Sequence, residues 1–166
     1  MPDIFDLSLG EASGIFFYTI MGFLAWGLIG LFSGAFLAGT LVPFPSEALV
    51  IGAFEMELGF WPVLFIATAG NVTGGITNYW IGYKSNSKSL KNRFKLDDVK
   101  INKWQDRFGK WGYWLGLLSW IPFLGDPMIA VLGFFKVPFI SLTIMMTIGK
   151  FGRYAILLWI YMQGMS

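Results

Sequence analysis

Three long apolar runs decide what this chain can fold into. They lie at about Ile15 to Phe32, Trp61 to Tyr83 and Pro138 to Met162. Each is close to the ~20 residues needed to cross a bilayer. Of the 166 residues, 55% are hydrophobic and only 13% are charged, about half the charge of an ordinary soluble domain. One domain of this size has no interior large enough to bury so much apolar surface, so lipid is the expected solvent. The sequence predicts an all-α integral membrane protein, a single membrane domain over residues 1–166.

Two further apolar segments are interrupted. Ala35 to Phe54 is broken by Pro43-Phe44-Pro45-Ser46-Glu47, and Trp111 to Phe135 by Pro122-Phe123-Leu124-Gly125-Asp126-Pro127. Proline lacks a backbone donor and pushes the preceding residue out of the helical region. Broken backbone at membrane depth is tolerated only where protein or a watery cavity covers it. The breaks therefore predict two re-entrant helical hairpins beside three transmembrane helices; two kinked full spans are the alternative.

Between Lys84 and Lys110 lie nine of the chain's twelve basic residues, which predicts a cytoplasmic loop. The N-terminus is then also cytoplasmic and the C-terminus outside. Asp3, Asp6 and Glu11 precede the first apolar run with no Lys or Arg among them, unlike a cleavable signal, so that segment is expected to be retained. Contact with anionic lipid accounts for the basic loop, and no nucleic-acid binding is expected. Trp104, Trp111, Trp114 and Trp120 are expected to anchor at the cytoplasmic interface.

A shift of 79 residues brings the halves of the chain into register. Pro43-Phe44 falls on Pro122-Phe123, Glu47 on Asp126, Phe60 on Phe139, and Thr68-x-Gly70 on Thr147-x-Gly149. Repeat one covers about 35–83, the basic loop 84–110 and repeat two about 111–162. Each repeat reads break, acid, short apolar helix, turn, full span. With the loop cytoplasmic the copies have opposite orientation, a recurring transporter plan with its site at the repeat interface.

Four charges interrupt the apolar segments: Glu47, Asp126, Lys150 and Arg153. Such residues are expensive in lipid and mark functional sites. Glu47 and Asp126 directly follow the breaks, where they either cap the half-helices or serve as gating or proton-linked acids. Lys150 and Arg153, three residues apart, share a helix face. They predict a cationic pocket for an anionic headgroup, Arg153 gripping phosphate through its fork. Two purely structural ion pairs are the alternative. Asn71, the repeat mate of Lys150, is expected to line the same cavity, as is Tyr154 in Gly149-Lys150-Phe151-Gly152-Arg153-Tyr154. The glycines, Asn and Thr from Gly70 to Asn78 read first as a helix-packing face.

Enzyme chemistry is not expected. There is no histidine or cysteine, which removes the usual proton shuttle and the commonest metal ligands. No H-E-x-x-H, G-x-S-x-G or P-loop pattern is present. Neither metal nor cofactor is anticipated.

The run Pro43-Phe44-Pro45-Ser46-Glu47 resembles the DedA/VTT (SNARE-associated) membrane family and its small YqaA-like branch. So do Gly70-Asn71…Gly74-Gly75…Asn78-Tyr79…Gly82, Trp120-Ile121-Pro122…Gly125-Asp126-Pro127 and Gly149-Lys150…Arg153-Tyr154. The resemblance covers roughly residues 35–160. It implies facing re-entrant hairpins, a bacterial inner-membrane location, and movement of lipids such as polyprenyl phosphate or phospholipid, with proton coupling through membrane acids. Larger members carry arginines around the second hairpin where this chain has Ser119 and Gly125. Glu47 carries over as the first-hairpin acid; the cation roles do not. The resulting expectation is a flippase for a phosphate-bearing lipid, with membrane lipids as partners and a homo-oligomer compatible with the sequence. A small-anion or drug transporter, a non-transporting scaffold and a lipid phosphatase are the rivals.

Overall fold

The computed structural model describes residues 26–40, 45–85, 108, 111–122 and 124–165. The described elements are helical. A helix over 26–38 (α1) leads to α2, Ser46–Glu55, and α3, Phe60–Lys84. A 3-10 helix, η1, spans Gly112–Trp120, followed by α4, Gly125–Phe134, and α5, Phe139–Met165. The N-terminal part of the first apolar run, Pro43-Phe44, Phe123, Trp104 and nearly all of the basic loop lie outside the described residues.

The breaks fall where proline demands them. Ile121 is extended (φ −71°, ψ 120°) immediately before Pro122, as steric conflict with the proline ring requires. Pro127 sits in the first turn of α4, where its missing N–H costs nothing. Two expectations need correction. The first span does not end at Phe32: α1 runs unbroken through 38. Ser33 donates back to the Ile29 carbonyl at 2.8 Å, so no group there is left needing a break. Gly34 makes a notch into which Leu49 of α2 fits. The apolar segment ahead of the second break, η1, is moreover a 3-10 helix, a tighter coil used in short pieces.

The 79-residue repeat extends to element boundaries. Ser46–Glu55 shifts onto Gly125–Phe134, and the start of α3 at Phe60 onto the start of α5 at Phe139. Even the joining turns agree. Glu57 (φ 58°) and Lys136 (φ 55°) are repeat mates, and both adopt the left-handed conformation that non-glycine residues seldom take. The cores agree as well. Val50, Ala53, Leu58, Val63 and Ala67 pack in one cluster; their mates Ile129, Leu132, Val137, Leu142 and Met146 pack in the other.

The long helices α3 and α5 are antiparallel. Phe65 meets Phe151, Asn71 meets Lys150, Gly75 meets Met146, and Tyr79 meets Phe139. Asn71 and Lys150 are mates of one another, and they touch. A residue that touches its own repeat mate lies on the pseudo-two-fold relating the copies. That axis crosses near the middle of both long helices, between the two apolar cores.

Among the described residues no helix is long and apolar enough to cross a membrane. Length is not what falls short: 25 residues in α3 and 27 in α5 reach about 38 and 40 Å at 1.5 Å per residue. Mean apolarity is lowered by side chains that face inward, among them Asn71 and Asn78 on α3 and Lys150 on α5, all buried. The outer face is different. Ile140, Ile144, Ile148, Ile156 and Ile160 make an exposed stripe along α5 roughly 30 Å long, with Trp61, Phe65, Trp80 and Ile81 exposed on α3. Apolar side chains facing out and polar ones facing in is the reverse of a water-soluble helix pair.

Candidate functional site

Every residue singled out for chemistry converges on the α3–α5 crossing. Glu47 and Asp126 stand in the first turns of α2 and α4. The N-cap residues themselves, Pro45 and Leu124, make no side-chain cap bond. The acids are directed at cations on α5, which sit one turn apart on its inner face.

Lys150 is 1% exposed. Its ammonium donates to the Asn71 carbonyl at 3.0 Å, to the Asn71 side-chain oxygen, and to Asp126 Oδ1 at 2.7 Å. An ammonium has three hydrogens, and all three are used. The amide nitrogen of Asn71 donates to the buried Tyr154 hydroxyl at 2.6 Å. Arg153 pairs with Glu47 through Nη2, which also reaches Ser46 Oγ at 2.9 Å. Its Nη1 approaches the Trp120 carbonyl at 3.5 Å. This second pair is more open, with side-chain exposures of 16% for Arg153 and 39% for Glu47. Ser46 Oγ lies 3.3 Å from Glu47 Oε2 and also beside the Tyr154 hydroxyl, so it joins the two halves of the cluster.

The expected packing face on α3 is present too. A Cβ on Gly70 or Gly74 would collide with the Phe32 or Phe36 carbonyl of α1, and one on Gly82 with Ala130 of α4. Asn71 therefore serves both packing and the polar cluster.

A family model for the VTT domain matches residues 44–163. The chain belongs to the DedA/VTT family. It is 30% identical over 146 residues to the inner membrane protein YqaA of Escherichia coli, covering 85% of this chain and 95% of that one. An uncharacterised protein of Haemophilus influenzae is 28% identical over 141 residues, 78% of this chain and 84% of the relative. An archaeal relative, an uncharacterised protein of Methanocaldococcus jannaschii, is 29% identical over 116 residues, 69% and 71% of the two chains. No solved structure matches. The chain is thus a membrane protein of this family, and all six candidate residues fall inside the matched VTT stretch.

The departure at Ser119 and Gly125 has a packing reason. A Cβ on Gly125 would lie 2.5 Å from the Ser119 carbonyl oxygen. An arginine at 125 has no room, and in this VTT protein the cations come from α5. Two buried or part-buried serines were given no site role from the sequence, and Asn78 only one in helix packing. Ser46 was legible only as part of the Pro43–Glu47 run. Asn78 donates to the Gly39 carbonyl at 2.9 Å, pinning the end of α1 to α3. Ser119, the next-to-last residue of η1, is buried. Ser46 adjoins Glu47, and Asn78 lies one helical turn from Gly74 and Gly82, the signals that could have found them. Among the described residues no group of His, Cys, Asp and Glu could hold a metal.

Proposed function

We propose that this VTT-family protein is a transporter that carries an anionic, phosphate-bearing lipid headgroup across the bacterial cytoplasmic membrane, without chemistry on its substrate. The observation that carries this reading is the placement of charge. Two cations on one face of α5 meet one acid from each half-helix, at the pseudo-two-fold axis and midway along both long helices. Buried charge is costly, and a scaffold could replace it with apolar packing at little loss. Charge retained at an inverted-repeat interface fits a site that faces alternate sides of a membrane. Arg153 supplies the planar fork suited to phosphate. The lipid tails would stay against the exposed isoleucine stripe of α5.

In this reading the segments about the two breaks, roughly 35–54 and 111–135, are the re-entrant hairpins, the first apolar run, α3 and α5 cross the membrane, and the basic loop is cytoplasmic. The relative named an inner membrane protein agrees with that location. Glu57 and Lys136, exposed in equivalent turns, then lie on opposite sides. In a chain without native cysteine, a cysteine at 57 should label only from outside and one at 136 only from inside; labelling of both from one side would refute this topology.

The direct test is movement of fluorescent phosphatidic acid and polyprenyl phosphate in liposomes containing the purified protein. Wild type should move at least one of them, and Arg153→Ala should move neither while keeping its helicity. Wild-type rates from folded Arg153→Ala would sink the proposal. Movement of soluble anions without lipid would make the protein a small-anion carrier.

A further inference from the structure

The two ion pairs are not equivalent, and resting on the reading above, we infer that Ser46 and Arg153 form the phosphate-binding station, with Glu47 occupying it as an internal stand-in for the ligand. Lys150 is a brace and not a ligand-binding cation.

The case begins with donor accounting. Lys150 spends its three N–H groups on Asn71 and Asp126. A ligand could reach it only by displacing an Asn71 oxygen or the part-buried Asp126 carboxylate. Arg153 has five N–H groups, of which three take part in the contacts with Glu47, Ser46 and the Trp120 carbonyl. Two remain for an incoming group among the described residues.

Geometry gives the second half. Glu47 holds one carboxylate oxygen on Arg153 and the other 3.3 Å from the Ser46 hydroxyl. A guanidinium and a hydroxyl gripping the two oxygens of one anion are the donors that a phosphate monoester needs. The carboxylate they hold is the more exposed member of its pair, at 39%. Its backbone is fixed at the start of α2, but its side chain can swing out without unfolding a core. Exchange needs no net charge change in the cluster beyond the ligand itself: phosphate arrives on Arg153 and Ser46 as Glu47 leaves them. In the other repeat the mate of Ser46 is Gly125, which has no hydroxyl and is packed against Ser119. Among the described residues one station of this kind is built.

The test is binding, measured apart from transport. Purified protein in detergent is titrated with lysophosphatidic acid, and separately with inorganic phosphate, following the thermal unfolding midpoint. Glu47→Gln removes the competing anion and should bind more tightly by about tenfold, an effect that a structural role for Glu47 would not produce. Ser46→Ala should weaken binding by about five- to tenfold, and Ser46→Thr should restore it. Gly30→Ala, at an exposed position of α1 with nothing within 4 Å, should leave affinity within about twofold of wild type. Protection by lysophosphatidic acid and by phosphate alike assigns the site to the phosphate group; protection by the lysolipid alone adds a requirement for the acyl chain. Unchanged or weaker binding in Glu47→Gln, wild-type affinity in Ser46→Ala, or no protection of wild type by either probe overturns the station. Binding that follows these rules in a protein that moves no lipid would refute the transport reading and leave the station standing.

Discussion

The halves of the molecule share boundaries, turns and core positions, yet hold their short helices differently. The short helix of the second half, α4, lies tightly on α3 of the first, because Gly82 and Gly133 let backbone meet backbone at Ala130 and Tyr79. The repeat mates of those glycines are Tyr161 and Phe54, whose rings meet edge to face at 6.2 Å. Side chains keep α2 away from α5 where glycines bring α4 onto α3. The ion pairs follow the same division: Lys150–Asp126 joins α5 to the tightly held α4, and Arg153–Glu47 joins α5 to the looser α2. An inverted repeat thus makes a symmetric frame, and sequence differences at mated positions make one side a fixed wall and the other a releasable one.

The largest effect that could break this comparison comes from the acids. Asp126→Ala strands the buried Lys150 charge and should cost roughly 3–5 kcal/mol. Glu47→Ala, at the more open pair, should cost no more than about 1 kcal/mol. Thermal unfolding in detergent compares them, and equal losses would erase the distinction between brace and station. Next comes packing. Gly82→Ala places a Cβ 1.8 Å from the Ala130 carbonyl oxygen and should destabilise by about 1–3 kcal/mol or more. Gly152→Ala, with nothing within 4 Å, should be neutral or stabilise by up to ~1 kcal/mol. A harmless Gly82→Ala would mean that α4 is not held by close contact. The smallest effect sharpens the symmetry. Glu57→Gly and Lys136→Gly each relieve a left-handed residue and should stabilise by up to ~1 kcal/mol. The gain should be the lesser at Lys136, whose ammonium lies 5.8 Å from the Tyr83 ring centre. Opposite signs at these mates would show that the turns differ.

Much of this was readable in the residues. The prolines located both breaks, and the pairing of Glu47 with Asp126 at a 79-residue shift gave the repeat, because local backbone chemistry is written locally. The meeting of Asn71 with Lys150 followed from the same shift once the copies were known to be antiparallel. What was hidden depended on distant partners. The packing of α1 past Phe32 against α2, with Leu49 in the space at Gly34, is one such contact. Which acid takes which base rests on how α2 and α4 dock, and the glycines that decide docking have no period to reveal them. Ser46 escaped notice because a serine at a helix start is ordinarily a cap; here its hydroxyl is used on Arg153 and Glu47.

The most direct test of the division between brace and station is lipid movement by two variants in proteoliposomes. Arg153→Lys keeps the charge and loses the fork; Asp126→Leu with Lys150→Met removes both members of the buried pair. Fluorescent phosphatidic acid should stop crossing with the first and keep crossing with the second, both proteins remaining folded. Transport that survives Arg153→Lys, or that is lost in the folded double variant, would contradict the assignment of Arg153 as the headgroup cation and Lys150 as its support.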